Sequence, residues 1–71
     1  MHDWSESTGS GGEKTARLGG TRVTVKRAAA GAPGAWMWEV RFADGQVQVG
    51  HAEDPDVALK KGKETAERFL P

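Results

Sequence analysis

A run of alternating residues near the middle of the chain constrains the fold more than any other feature. Large apolar side chains occupy every second position, at Trp36, Trp38, Val40 and Phe42. The positions between them are Met37, Glu39 and Arg41. Successive side chains of a strand point to opposite faces of a sheet, so this period of two predicts a strand with one buried face. Residues 21–26 alternate in the same way, with Val23 and Val25 as the apolar members, and predict an earlier strand.

The dipeptide Asp-Gly at positions 44–45 follows the longer run and precedes a third alternating segment. Asp-Gly between two such segments is typical of a two-residue type I′ turn, in which both central residues have positive φ. A two-residue loop pairs Phe42 with Val47 and Val40 with Val49, so apolar residues of both strands share one face. The sequence therefore predicts a hairpin in which polar residues meet polar residues along most of the ladder, on the opposite face.

The C-terminal segment has the signals of a helix that runs from Pro55 to about Leu70. Asp54 supplies an N-cap carboxylate, and proline is favoured at the first helical position. At about 100° per residue, small and apolar residues share one arc, namely Ala58, Leu59, Gly62, Thr65, Ala66, Phe69 and Leu70. Gly62 lowers helix propensity, so close packing against the sheet is its expected reason.

These elements predict an α+β fold in which a three-stranded antiparallel sheet packs against one C-terminal helix, in the order β-β-β-α. The expected domain spans residues 21–71. Residues 1–20 are rich in serine and glycine, with Trp4 and Leu18 as their large apolar residues, and predict a flexible, disordered N-terminal tail. The alternative for part of this segment is a hairpin between residues 16–18 and 21–23 that turns at Gly19-Gly20.

Composition excludes several classes of protein. The 71-residue chain has no cysteine, which removes disulfides, thiolate catalysis and most structural zinc sites. No apolar run approaches the ~18 residues of a membrane span, and residues 1–12 lack the pattern of a signal peptide. We therefore expect a cytoplasmic protein that does not enter a membrane.

Catalytic motifs are missing from the sequence. The expected domain offers Thr21, Thr24, Thr65 and one histidine, which do not make a nucleophile with its base. The glycine-rich segments 9–12 and 31–34 do not have the spacing of a phosphate-binding loop. His51 and the nearby acids at 53, 54 and 56 are an alternative metal site, but capping of the helix explains those acids. We expect no enzyme activity, no metal and no cofactor.

The polar face of the sheet is the candidate site. Residues 20–34 carry three basic residues and no acid, although ten basic and ten acidic residues give the whole chain a formal net charge of zero. Arginine, glutamine and threonine contact phosphates and base edges, and β-ribbons enter the major groove. The candidate nucleic-acid-binding residues are Arg22, Thr24, Lys26, Arg27, Arg41, Gln46 and Gln48. The alternative is a solvated face of an antiparallel sheet with no partner.

The order of strands, Asp-Gly turn and helix resembles a known arrangement. It is similar to the three-stranded sheet with C-terminal helix of the arm-type DNA-binding domains of tyrosine recombinases, and to the latter part of double-stranded-RNA-binding domains. The resemblance covers residues 21–70 and is carried by residues 36–42, the turn at 44–45, and the helix with Ala58, Gly62, Ala66 and Leu70. It implies nucleic-acid binding, although the same fold also serves protein contacts.

The function expected from the sequence is a small non-catalytic binding module that contacts nucleic acid through the polar sheet face. The alternative is a protein-interaction or regulatory module that self-associates through a sheet edge or through the face around Met37. The partner, the biological process and the oligomeric state stay open at this point.

Overall fold

The computed structural model describes residues 3–69, in which five antiparallel strands and one helix follow one another along the chain. The elements are β1 (Ser5–Thr8), β2 (Lys14–Leu18), β3 (Thr21–Arg27), β4 (Trp36–Arg41), β5 (Val47–Ala52) and α1 (Pro55–Phe69), with a 3₁₀ turn at Ser10–Gly12. The strands lie in the sheet in chain order, and α1 packs across one face of the sheet. The α+β class with a C-terminal helix is confirmed.

The prediction of three strands after a disordered tail is wrong, because residues 5–18 form β1 and β2 of the same sheet. The alternative hairpin is the one observed. Leu18 pairs with Thr21 across a two-residue loop, and Gly19 takes the positive φ of 59° that this tight turn needs. The first two residues of the predicted tail lie outside the described residues.

Trp4 anchors the N-terminal segment to the helix. Its half-buried ring packs against the core, and its Nε1–H donates a hydrogen bond of 2.8 Å to Glu67. Glu6 of β1 forms an ion pair with Lys63 of α1. Strand pairing with β3, together with contacts to α1, therefore orders a segment whose own apolar content is too low to order it.

Helix α1 begins as the capping signals predict. The backbone N–H of Val57 donates to Asp54 Oδ1 over 2.9 Å, which confirms Asp54 as the N-cap. Small residues line the side of α1 that faces the sheet, and Leu70 of the predicted helix lies outside the described residues. No helix within residues 3–69 is long and apolar enough to cross a membrane.

The core lies between α1 and the inward face of the sheet. Val23, Val25 and Val40 are fully buried, and Trp36 is 8% exposed. Gly62 meets this layer so closely that a methyl group on it would lie 2.5 Å from Cγ1 of Val23. The predicted reason for the helix glycine, close packing on the sheet, is confirmed.

The register of β4 and β5 differs by one residue from the predicted one. Val40 pairs with Gln48, and not with Val49, because the loop between the strands has three residues instead of two. Within the described chain only glycines have positive φ, so Asp44 does not enter the left-handed region that a type I′ turn requires. Gly45 alone takes it, at 93°, and Asp44 Oδ1 accepts the Gln46 N–H over 3.1 Å.

The shifted register reverses the faces of β5. Val47 and Val49, predicted in the core, are 45% and 56% exposed on the side away from α1. Gly50 instead lies under the Trp38 indole, where a methyl group would come within 2.3 Å of Cζ2. The observed register thus gives one of the two inward tryptophans of β4 a neighbour with no side chain.

We predict that Gly62→Ala destabilises the protein by about 1–3 kcal/mol, because the added methyl overpacks against Val23. Alanine otherwise favours a helix over glycine by about 1 kcal/mol, so the sign of the effect tests the close contact. Urea unfolding followed by tryptophan fluorescence measures it. Gly9→Ala is the control, since a methyl there has its nearest atom at 4.0 Å and should leave stability unchanged. A more stable Gly62→Ala variant would contradict the packing.

Candidate functional site

The sheet face that points away from α1 is called the outer face here. Its residues follow from the strand register and from their exposure: Ser5, Ser7, Thr15, Arg17, Arg22, Thr24, Lys26, Met37, Glu39, Arg41, Val47, Val49 and His51. The inward face carries the core valines and tryptophans and is covered by α1. The outer face is therefore the large sheet surface open to a partner.

Three arginines lie side by side across the outer face. Arg17 on β2 pairs with Arg22 on β3, and Arg22 pairs with Arg41 on β4, so the three form one row perpendicular to the strands. Adjacent strands are about 4.8 Å apart, which keeps neighbouring side chains of this arginine row within reach of one ligand. All three residues are exposed.

The arginine row has little compensation from acidic groups. Glu39 lies 3.6 Å from Nη2 of Arg41, and its side chain is 26% exposed. Within residues 3–69, Arg17 and Arg22 form no ion pair with a carboxylate. Like charges directly opposite each other on neighbouring strands destabilise a sheet. The row is thus electrostatically unfavourable in the free protein.

A shallow cavity of about 300 Å³ opens at the end of the arginine row. All three arginines line it, together with Gly19, Gly20 and residues 42–43 at the two neighbouring turns. Guanidinium groups donate several hydrogen bonds in a planar fork that matches phosphate and carboxylate oxygens. The cavity can therefore accept an anion of the size of a phosphate group.

The zero net charge of the chain conceals a separation of charge. The outer face has four basic residues, Arg17, Arg22, Lys26 and Arg41, and one acidic residue, Glu39, a net charge of +3. Since the whole chain is neutral, the remaining residues carry −3. The potential at the outer face is positive although bulk charge predicts no preference.

Four of the predicted site residues lie together on the outer face: Arg22, Thr24, Lys26 and Arg41. The other three do not. Arg27 shares the inward face with Trp36, and its guanidinium lies 5.1 Å from the centre of that ring in a cation–π contact. Gln48 pairs with buried Val40, and Gln46 sits in the hairpin beside Phe42, because the register shift turns both glutamines away from the outer face.

Arg17 is the site residue that the sequence prediction missed, because it falls in the segment interpreted as a tail. A signal was present in the alternation of Thr15 and Arg17 with Ala16 and Leu18, directly before the Gly19-Gly20 turn. Ala16 is fully buried, as the inward member of that alternation should be. Accepting the alternative hairpin would have placed Arg17 opposite Arg22.

Tryptophan and phenylalanine rings are absent from the outer face within residues 3–69, and His51 is its one aromatic ring. The tryptophans and Phe42 belong to or pack against the core, and Phe69 on α1 contacts Phe42 edge-to-face with ring centres 5.7 Å apart. Stacking of bases on aromatic rings is the usual basis of single-strand binding on a sheet. The outer face offers cations and hydroxyl groups instead, which contact phosphates.

Comparison with known protein families, with curated proteins and with solved structures found no match to this chain.

We predict that Arg22→Gln stabilises the free protein at low salt, because Arg22 is the central member of the arginine row and faces a cation on each side. The expected gain is at most about 0.5 kcal/mol, the usual range for an exposed substitution, and it should shrink at about 1 M salt, where the Debye length falls to about 3 Å. Urea unfolding at both salt concentrations measures it. Arg22→Lys keeps the charge and should show no gain. Equal effects of the two substitutions would contradict an electrostatic origin.

Proposed function

We propose that this chain is a small non-catalytic module that binds nucleic acid by contacts from the outer face to the phosphate backbone. The observation that carries the proposal is the arginine row, which places Arg17, Arg22 and Arg41 next to one another with one nearby carboxylate. An anion bound over the row relieves the repulsion among the three cations. This relief adds a favourable electrostatic free energy to binding.

Hydroxyl groups add to the proposed contact surface. Thr15 and Thr24 pair across β2 and β3 in the row beside the arginines, and Lys26 lies further along β3. Serine and threonine hydroxyls together with lysine are common donors to phosphate oxygens. These groups extend the positive area along the strands, as a backbone with many phosphates requires.

The proposed readout is of phosphate charge and not of base sequence. Within residues 3–69 the outer face has no tryptophan or phenylalanine ring on which bases could stack, and both glutamines that the sequence suggested for base contacts point elsewhere. Phosphate contacts position a protein on nucleic acid but carry no sequence information. We therefore expect weak sequence preference and strong dependence on salt.

Removing the arginine row should flatten the salt dependence of binding. Neutralising three phosphate contacts lowers the slope of log affinity against log salt by up to about 2–3 units on duplex DNA. The variant is Arg17→Gln, Arg22→Gln and Arg41→Gln in one chain. The measurement is fluorescence anisotropy of a labelled duplex of about 20 base pairs, titrated between about 20 and 200 mM salt.

The matched control changes net charge by the same amount on the opposite side of the molecule. Lys60→Gln, Lys61→Gln and Arg68→Gln in one chain removes three exposed cations from α1. This variant should keep the salt slope of the wild type. Equal weakening by both variants would indicate a general charge effect and overturn the proposal, as would absence of wild-type binding at low salt.

An interaction with protein is the second candidate function, and the exposure of Val47 and Val49 on a strand at the edge of the sheet favours it. Chemical-shift changes separate the two functions. Nucleic acid should shift the amides of β2, β3 and β4 around the arginine row, whereas a protein partner at the edge should shift those of β5.

A further inference from the structure

Strand β5 is an edge of the sheet. The alternation of its hydrogen bonds to β4 identifies which of its backbone groups have no partner strand. The Phe42 N–H donates to the Gln46 carbonyl oxygen over 2.8 Å. Residues of an antiparallel strand alternate between pointing toward the partner strand and away from it. Gln48, Gly50 and Ala52 therefore bond to β4, while Val47, Val49 and His51 direct their N–H and C=O groups outward.

This edge lacks the features with which proteins protect exposed strands. Edge strands are usually blocked by charged side chains, proline, bulges or very short length. Residues 46–52 include no charged side chain of Asp, Glu, Lys or Arg and no proline, and the side chains of Val47 and Val49 are exposed. The opposite edge, β1, has only four residues and carries Glu6. The contrast makes β5 the edge that is open to another strand.

A second observation lies directly beside the β5 edge. Nε1 of Trp38 is buried and has no hydrogen-bond partner within residues 3–69. The indole extends over Gly50 toward the edge, and a methyl group on Gly50 would lie 2.8 Å from Nε1. Buried indole N–H groups are normally hydrogen-bonded, so an acceptor supplied from beyond β5 would satisfy this one.

We propose that two copies of this chain pair through β5 in antiparallel orientation, with Val49 opposite Val49 of the second copy on a two-fold axis. In this register Val47 faces His51 of the other copy, so each residue with outward backbone groups meets another of the same kind. Registers shifted by two residues leave one of these outward-facing residues on each strand without such a partner. The self-pairing produces a continuous ten-stranded sheet.

The register also supplies the acceptor for Trp38. Gln48 of one copy comes opposite Gly50 of the other, on the inward side where the indole lies. Nε1 of Trp38 is covered in the single chain, so pairing must first shift side chains at this edge. The Gln48 amide oxygen can then accept a hydrogen bond from Nε1–H, and each copy provides the same group to its partner. An unrelated extended peptide would match this position only by chance, which favours a second copy as the occupant.

The two-fold axis stands perpendicular to the sheet, so both helices lie on one side and both outer faces on the other. Two arginine rows then share one continuous surface. The pairing does not rest on nucleic-acid binding, because its evidence comes from β5 and Trp38, and the two proposals can fail separately.

Sedimentation velocity of the full chain tests the pairing without nucleic acid. The wild type should pass from the mass of one chain toward the mass of two between about 10 µM and about 1 mM. Val49→Lys should raise the dissociation constant at least about tenfold, because two lysines would meet at the axis of the edge. Circular dichroism checks that this exposed substitution preserves the fold.

Ser7→Lys is the matched control, since it adds the same charge to the outer face of the other edge strand. It should associate like the wild type. A wild type that stays monomeric at about 1 mM, a Val49→Lys variant that associates normally, or equal dissociation by Ser7→Lys would each overturn the proposal.

A second measurement tests the register without any substitution. In a mixture of labelled and unlabelled chains, an intermolecular nuclear Overhauser effect is expected between the Hα protons of Gln48 and Gly50, which form a close pair that does not exchange hydrogen bonds. The Trp38 indole proton should shift on dimerisation in the wild type but not in Gln48→Ala. Intermolecular contacts in another register, or at β1, would contradict the proposed pairing.

Discussion

The left-handed conformation of Gly45 is the constraint on which the rest of the C-terminal half depends. Because Gly45 alone takes a positive φ in the hairpin, the loop has three residues and β5 pairs one residue away from the two-residue register. A side chain changes face with each residue, so this one step places Gly50 under Trp38 and exposes Val49. The inward and outward faces of β5, the neighbour of Trp38 and the free backbone groups of the β5 edge all follow from that turn.

Basic and acidic residues are distributed unevenly over the surface of this protein, although its formal net charge is zero. The arginine row collects on one face because Arg17, Arg22 and Arg41 occur at corresponding positions of three neighbouring strands. Eight of the ten acids lie instead in loops or on α1. On the inward side, Arg27 lies over Trp36 and covers part of the core rim. A neutral protein can therefore present a basic surface when the alternation of side chains along its strands places the basic residues on one face.

The N-terminal strands illustrate why a sequence of low apolar content is difficult to assign. Residues 5–18 have little to bury on their own, yet Ala16 packs in the core and Trp4 bonds to Glu67 on α1. Those contacts join residues that are far apart in the chain, so they contribute nothing to a pattern read over a short window. The cost of ordering the segment is offset by surfaces that exist only once β3 and α1 have assembled.

The sequence alone determined the inward face of β3 and β4, the helix with its Asp54 cap, and the need for close packing at Gly62, because each depends on the local periodicity or capping of one element. It also identified four members of the outer face, including Arg22 and Arg41. Only the tertiary structure decided the register of β5, the addition of β1 and β2, and the alignment of Arg17 with the other arginines. Turn length and long-range pairing govern these features. A hairpin admits two registers that the alternating pattern satisfies almost equally, and the three-residue turn at Gly45, which places Gly50 under Trp38, selects one of them.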